Sequence, residues 1–106
     1  MTIFDEREKE FEARFRHDQE FRFKTTARRN RLLGLWAAEH LGLLGEAAEA
    51  YAEHVVQAEF EHGGDRRVID KLAADLGAKD PTFTADRIRF ELEHFAEQAK
   101  HQLMRE

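Results

Sequence analysis

Apolar residues recur at helical spacing in four stretches of the chain, and short connections rich in glycine or containing proline separate them. The first stretch, residues 23–42, places apolar side chains on nearly every side of a helix and contains the only tryptophan, Trp36. A helix that is apolar all round is surrounded by protein, so we expect this segment to be the central helix of the fold. Gly42 is the predicted end of that helix.

Two shorter helices are predicted next, each with one apolar face. The second helix should run from about Glu46 to His62, where the pair Gly63-Gly64 stops it. Its alanines are small enough to let it approach the central helix closely. Asp65 then has the right chemistry to cap a short third helix, which Gly77 closes.

The last connection contains the only proline and leads into a fourth helix. Thr84 is the predicted N-cap of this helix, and Phe83 is placed to pack onto Ile88 as a hydrophobic staple. No sustained period-two alternation predicts a strand, so the chain is predicted to be all-α, a small four-helix bundle. Its predicted core consists of Leu33, Trp36, Ala37, Leu41, Tyr51, Val55, Ile69, Leu72, Ile88, Leu92 and Phe95.

An amphipathic arm precedes this bundle. Phe4, Phe11 and Phe15 fall within an arc of roughly 40° on a helix, with charged residues on both sides. The apolar face changes direction near residues 20–24, which divides the chain into an arm, residues 1–22, and a body, residues 23–106. Two interpretations stay open at this point: the arm packs on the body as a fifth element, or it docks into a groove on a larger protein.

Composition narrows the classes of function. The chain has no cysteine and no serine, which excludes disulfides, thiolate metal sites and the serine or cysteine nucleophiles of catalytic triads. A net charge of −5 disfavours nucleic-acid binding, and the apolar runs are too short for membrane insertion. A bundle of this size offers little room for a catalytic pocket, so we do not expect an enzyme, and a reducing cytoplasm suits the chain.

Histidines and arginines are the remaining candidates for chemistry. The six histidines are spaced too widely for one metal ion, so we interpret them as solvated surface residues, with a pH-responsive role as the alternative. Lys24, Arg28, Arg29 and Arg31 form a local basic cluster. Its simplest interpretation is a solvated entry to the central helix, and the alternatives are docking onto an acidic partner or, more distantly, onto nucleic acid.

The run ARRNRLLGLWAAE over Ala27–Glu39 resembles the zeta-subunit family of alphaproteobacterial F-type ATP synthases. The opening residues Met1–Glu8 are similar to that family as well, as is the pattern Ala48-x-x-Tyr51-Ala52. The resemblance covers essentially the whole chain, although the final helix is similar only in its apolar periodicity.

The resemblance implies a four-helix inhibitor of ATP hydrolysis on the cytoplasmic side of the membrane-bound ATP synthase. Its N-terminal segment, here Met1 to about Gln19, would insert between catalytic alpha and beta subunits, reach the central gamma subunit and block rotation. The protein-binding residues would be Ile3, Phe4, Arg7, Phe11, Arg14 and Phe15. No cofactor is expected beyond the weak ADP or ATP binding that the resemblance implies. A non-inhibitory helical adaptor or a nucleotide-responsive regulator of the ATP synthase is the alternative function.

Overall fold

The structure, a computed structural model, describes residues 3–61 and 63–106, apart from the side chains of residues 3–5, 11 and 15. These ranges form four α-helices and contain no strand, which confirms the predicted all-α, four-helix class. The helices are α1 (Ile3–His40), α2 (Gly45–Phe60), α3 (Asp65–Gly77) and α4 (Ala85–Met104).

Helix α1 contains both the predicted arm and the predicted central helix. Its 38 residues continue without a break through the segment where the apolar face changes direction. At that point the Thr25 hydroxyl donates a hydrogen bond of 2.7 Å to the Phe21 carbonyl one turn earlier, so its β-branched side chain is accommodated inside the helix. The molecule is correspondingly elongated, with principal extents of 63 × 26 × 21 Å. The division into arm and body therefore has no counterpart in secondary structure, and it stays a prediction.

Helix α1 packs very closely against α2. A Cβ atom added at Gly34 would lie 2.7 Å from the Ala52 Cα, closer than non-bonded carbon atoms approach, and 3.2 Å from the Val55 Cβ, a tight contact. Only a hydrogen atom fits between the two helices at this point. The prediction that the small alanines of α2 let it approach the central helix closely is confirmed at Ala52.

The prediction that protein surrounds the central helix on every side is wrong. Helix α1 is covered by α2 and α4, while α3 packs mainly on those two helices. The side chains of Arg31, Glu39 and His40 are exposed, and Leu35 is only half-buried. Because only α2 and α4 pack extensively on α1, the side of α1 that faces away from both helices stays in water.

The core lies where the four helices meet. Seven of the predicted core residues are buried, namely Leu33, Ala37, Val55, Ile69, Leu72, Ile88 and Leu92. The other four, Trp36, Leu41, Tyr51 and Phe95, are half-buried and pack against its edge. Trp36 lies at that edge with its ring centroid 6.0 Å from that of Phe83 and 6.3 Å from that of Phe95. The largest side chain thus closes the core instead of filling its centre.

Local hydrogen bonds end α1 and begin α4 as predicted. Gly42 takes a left-handed conformation with φ of 77°, and the N–H of the next residue, Leu43, donates to the Ala38 carbonyl at 2.9 Å. At the start of α4 the Thr84 hydroxyl accepts a hydrogen bond from the Arg87 N–H at 3.3 Å. Phe83 and Ile88 are both buried in the same cluster.

The boundaries of α2 and α3 differ from the prediction. Helix α2 ends at Phe60, two residues early, and His62 lies outside the described residues. Helix α3 does end at Gly77, but Asp65 is not its cap: Gly64 holds the N-cap position, with φ of 54°, and provides no side-chain hydrogen bond. The Asp65 carboxylate instead accepts hydrogen bonds from Arg29 of α1, and this long-range pairing replaces the local one.

Candidate protein-binding site: the arm and its junction with the body

The arm is the part of α1 that extends beyond the body. Positions 4, 11 and 15 lie within about 40° of one another on this helix, so the predicted phenylalanine stripe follows one side of the backbone. The side chains of Ile3, Phe4, Phe11 and Phe15 are outside the described residues. Arg7 and Arg14, the other two predicted binding residues, are exposed.

The described arm side chains do not pack on the body. Every one of them from Glu6 to Glu20 is exposed, and the set mixes both signs of charge: Glu6, Arg7, Glu8, Lys9, Glu10, Glu12, Ala13, Arg14, Arg16, His17, Asp18, Gln19 and Glu20. The described side chains of the arm are thus mostly charged and exposed to solvent, so the arm is accessible to a binding partner along its length.

A buried ionic cluster lies where the arm meets the body. The Arg29 guanidinium donates hydrogen bonds to Glu59 of α2 at 2.5 Å and to Asp65 of α3 at 2.8 Å. Asn30, fully buried, accepts from Arg29 Nε at 3.1 Å and donates to the same Glu59 carboxylate at 3.1 Å. Arg29 is only 8% exposed, so the prediction that it belongs to a solvated basic entry is wrong. The cluster ties α1, α2 and α3 together at the base of the arm.

The pKa values of the two carboxyl groups in this cluster are shifted in opposite directions. Burial, reinforced by the neighbouring Asp65 carboxylate, raises the pKa of Glu59 above its usual range. Burial acts to raise the pKa of Asp65 too, but the hydrogen bonds from Arg29 and the shared contact with Glu59 outweigh it and lower that pKa. Of the two, Glu59 is therefore the group that takes up a proton first as the pH falls.

The neighbouring arginines also make ion pairs within the body. Arg28 donates to Gln102 of α4 at 3.1 Å and pairs with Glu106, two residues beyond the end of α4, at 2.7 Å. Arg31 pairs with Glu49 of α2 at 2.7 Å. Among the described side chains none forms an ion pair with Lys24. The basic cluster is thus largely used to hold α1 in the bundle, and Lys24 is its one cation left for a partner.

An exposed aromatic pair lies beside the buried ionic cluster. Phe23 of α1 is 57% exposed and Phe60, at the end of α2, is 55% exposed, and their ring centroids are 5.1 Å apart. A shallow groove of about 450 Å³ runs from Phe23 between α1, α2 and α4, with Ala27, Val56 and Leu103 along it. We call Phe23, Phe60, Ala27, Val56 and Leu103 the junction patch.

Sequence reasoning missed the junction patch as a binding surface. The sequence pattern places Phe23 in the central helix, and Phe60 stands outside the apolar stripe of α2. One feature of the sequence could have indicated this surface. Phe60 does not lie on the buried face of α2 that contains Ala52 and Val55, so a large aromatic side chain is expected to be exposed there.

A second groove, between α2 and α3, has a volume of about 440 Å³. Its two cations are already paired, Arg67 with Glu61 at 3.3 Å and Lys71 with Asp75 at 3.2 Å. Asp75 also accepts a hydrogen bond of 2.7 Å from the Tyr51 hydroxyl, which joins α2 to α3. These contacts give the groove a structural role in holding the two helices together.

Metal binding and membrane insertion find no support in the described part of the chain. No group of three or more histidine, cysteine or acidic side chains there could hold a metal ion. His17, His40, His54, His94 and His101 are exposed, in line with their interpretation as surface residues. No described helix has the length and apolar character needed to cross a membrane.

Comparison with known proteins gives the family. A structure determined by solution NMR is 46% identical in sequence, with a TM-score of 0.67 over 77% of this chain and 93% of that one. A search of curated proteins finds no match. Residues 1–102 match the family described as ATPase inhibitor subunit zeta. Since that match spans nearly the whole chain, the protein belongs to the ATPase inhibitor subunit zeta family.

Proposed function

We propose that this protein inhibits ATP hydrolysis by an F-type ATP synthase on the cytoplasmic side of the membrane. The arm, residues 1–22, inserts at an interface between catalytic alpha and beta subunits, reaches the gamma subunit and blocks rotation in the hydrolytic direction. The observation that carries this proposal is the free arm: the described side chains from Glu6 to Glu20 are all exposed on a helix continuous with the body. The family description supports inhibition as the outcome.

The chemistry of the arm suits insertion between two protein surfaces. Ile3, Phe4, Phe11 and Phe15 supply apolar anchors, and burying one phenylalanine contributes about 1.5–3 kcal/mol. Arg7 and Arg14 flank the stripe and are free to pair with partner carboxylates. Because the arm already continues a folded helix, less backbone entropy is lost on binding than for a separate peptide.

This role is regulatory and not catalytic. An inhibitor subunit acts by occupying a site on another protein, and the chain contains neither serine nor cysteine to serve as a nucleophile. Its partners are the alpha, beta and gamma subunits of the catalytic sector, and no nucleic acid or cofactor is needed for the block.

The test is ATP hydrolysis by the purified cognate ATPase with full-length protein and with protein lacking residues 1–19. We expect the deletion to abolish inhibition while the circular-dichroism melt of the body changes little. A finer pair of variants separates the stripe from the rest of the arm: Phe4→Ala/Phe11→Ala/Phe15→Ala should lose inhibition, whereas Glu6→Ala/His17→Ala, on the opposite side of the helix, should keep it. Unchanged inhibition after the deletion contradicts the proposal, and tight binding without inhibition identifies an adaptor instead.

A further inference from the structure

The junction patch lies directly at the exit of the arm. The rings of Phe23 and Phe60 contact each other but leave more than half of each residue in water. Side chains on a helix lean toward its N-terminus, so Phe23 covers the turn that contains Gln19 and Glu20. A second depression, of about 320 Å³, is lined by Gln19, Glu20, Phe23 and Lys24 and joins the patch to the arm.

The continuity of α1 brings any partner of the arm close to the junction patch. Gln19 precedes Phe23 by four residues, which on a helix is a rise of only about 6 Å. A protein that encloses the arm as far as Gln19 therefore has to pass within one helical turn of Phe23. It meets there an apolar surface that nothing in the described part of the chain covers.

The area of the patch argues against a second copy of this chain as its occupant. With roughly 200 Å² for a phenylalanine side chain, the exposed parts of Phe23 and Phe60 amount to roughly 220 Å². Two such ring pairs face to face would bury roughly 440 Å², and the half-buried Ala27, Val56 and Leu103 expose too little to raise this to the ~1,200 Å² that a stable interface needs. As an extension of the interface made by the arm, the same area is sufficient.

We propose that the junction patch is a second anchor for the catalytic sector that receives the arm. Its occupant is the rim of the groove that the arm enters, apolar where it covers Phe23 and Phe60, with a carboxylate facing Lys24. Lys24 lines both depressions and, among the described side chains, has no carboxylate partner, so its charge is available to that rim. The inference rests on the proposed function, since it takes the partner of the arm as the partner of the patch.

Phe60→Ala is the decisive variant because Phe60 belongs to α2 and leaves the arm unaltered. Its matched control is Phe90→Ala on α4, another exposed phenylalanine (68%), which lies outside the Phe23–Phe60 ring pair. Full-length proteins are titrated into the cognate ATPase, and both the half-inhibitory concentration and the dissociation rate are measured. We expect Phe60→Ala to weaken inhibition about tenfold, or about 1.4 kcal/mol, mainly through faster dissociation, and Phe90→Ala to change it less than about twofold.

The outcomes separate this inference from the proposed function. If deletion of residues 1–19 abolishes inhibition but Phe60→Ala inhibits like the wild type, the arm model stands and the second anchor is refuted. If wild-type protein neither inhibits nor binds the ATPase, both proposals fall. A wild-type dimer by light scattering that Phe60→Ala dissociates would also overturn the inference, because it would give the patch to a second copy. Lys24→Glu provides a charge readout: we expect weaker binding and a smaller loss of affinity with added salt.

Discussion

Replacing Arg29 with methionine removes the cation at the centre of the buried ionic cluster while keeping much of its volume. In the variant, Glu59 keeps its hydrogen bond from Asn30 but has no cation beside it, and its side chain is only 12% exposed. The side-chain amide oxygen of Asn30, Oδ1, loses the hydrogen bond that Arg29 Nε donates to it. Asp65, with 55% of its side chain exposed, is the one member that water can resolvate.

The magnitude follows from which of these groups is buried. Breaking a buried ion pair by removing one partner costs about 3–5 kcal/mol, because an uncompensated charge stays behind. The half-exposed Asp65 pair adds no more than about 1 kcal/mol. We therefore expect Arg29→Met to lower the free energy of unfolding by about 3–5 kcal/mol, a large part of the 5–15 kcal/mol typical of a domain.

Urea unfolding of four proteins measures the effect: wild type, Arg29→Met, Glu59→Gln and the double variant. Glutamine keeps an acceptor for Asn30 and carries no charge, so the double variant should be more stable than Arg29→Met alone. We expect a coupling free energy of about 1–3 kcal/mol between the two positions. Additive losses would show that the charge left on Glu59 is not what destabilises Arg29→Met.

The pH dependence of the loss is a second check. The folded-state pKa of Glu59 is already raised, and without Arg29 it rises further, so its destabilisation acts above that pKa and is relieved as the pH falls. The pKa of Asp65 is lowered, so its stabilisation is present above its unfolded-state pKa and is lost as the pH falls through the folded-state pKa. The Glu59 effect makes the loss from Arg29→Met larger at about pH 7.5 than at about pH 5, whereas the Asp65 effect is the same at both values because both lie above its unfolded-state pKa. A loss that is equal at the two pH values refutes the reasoning.

Two further predictions concern the packing of α2. Gly34→Val should lower the free energy of unfolding by about 1–3 kcal/mol, because its Cβ would lie 2.7 Å from the Ala52 Cα. Gly34→Ala should be less destabilised, since alanine returns about 1 kcal/mol of helix propensity. A rise in the urea midpoint of the valine variant would contradict the close contact. Burial and, after it, the hydrogen bond to Asp75 raise the pKa of Tyr51, the only tyrosine in the sequence. An absorbance titration of the folded protein should therefore show no tyrosinate at about pH 10. Tyrosinate formation there without unfolding would show that the hydroxyl is not held by Asp75.

Features decided within a few residues could be predicted from the sequence. The end of α1 at Gly42 and the cap of α4 at Thr84 depend on hydrogen bonds that span five residues or fewer. The apolar faces of α3 and α4 follow the helical period, and Leu72, Ile88 and Leu92 are buried as that period requires. Helix class, order and core faces were therefore accessible without coordinates.

The ionic cluster was not accessible in this way, because its members lie 30 and 36 residues apart. Asp65 has the residue type of a cap, and only the arrival of Arg29 from another helix diverts its carboxylate. One local signal was present: Arg29 precedes Leu33 and Ala37 by one and two turns on the same face, which places a guanidinium on the buried side of α1. The partners of that guanidinium, however, follow only from the tertiary packing of α2 and α3.

Because α1 is continuous, the number of residues between the arm and the body fixes how the body is rotated about the axis of the arm. One residue added between Arg22 and Arg29 would turn the body by about 100° and move it about 1.5 Å along the axis. Seven added residues would restore the direction to within about 20° but place the body about 10.5 Å farther out. Arm and body can therefore engage one rigid partner together only at a fixed spacing, and under the function proposed above the length of α1 is itself constrained.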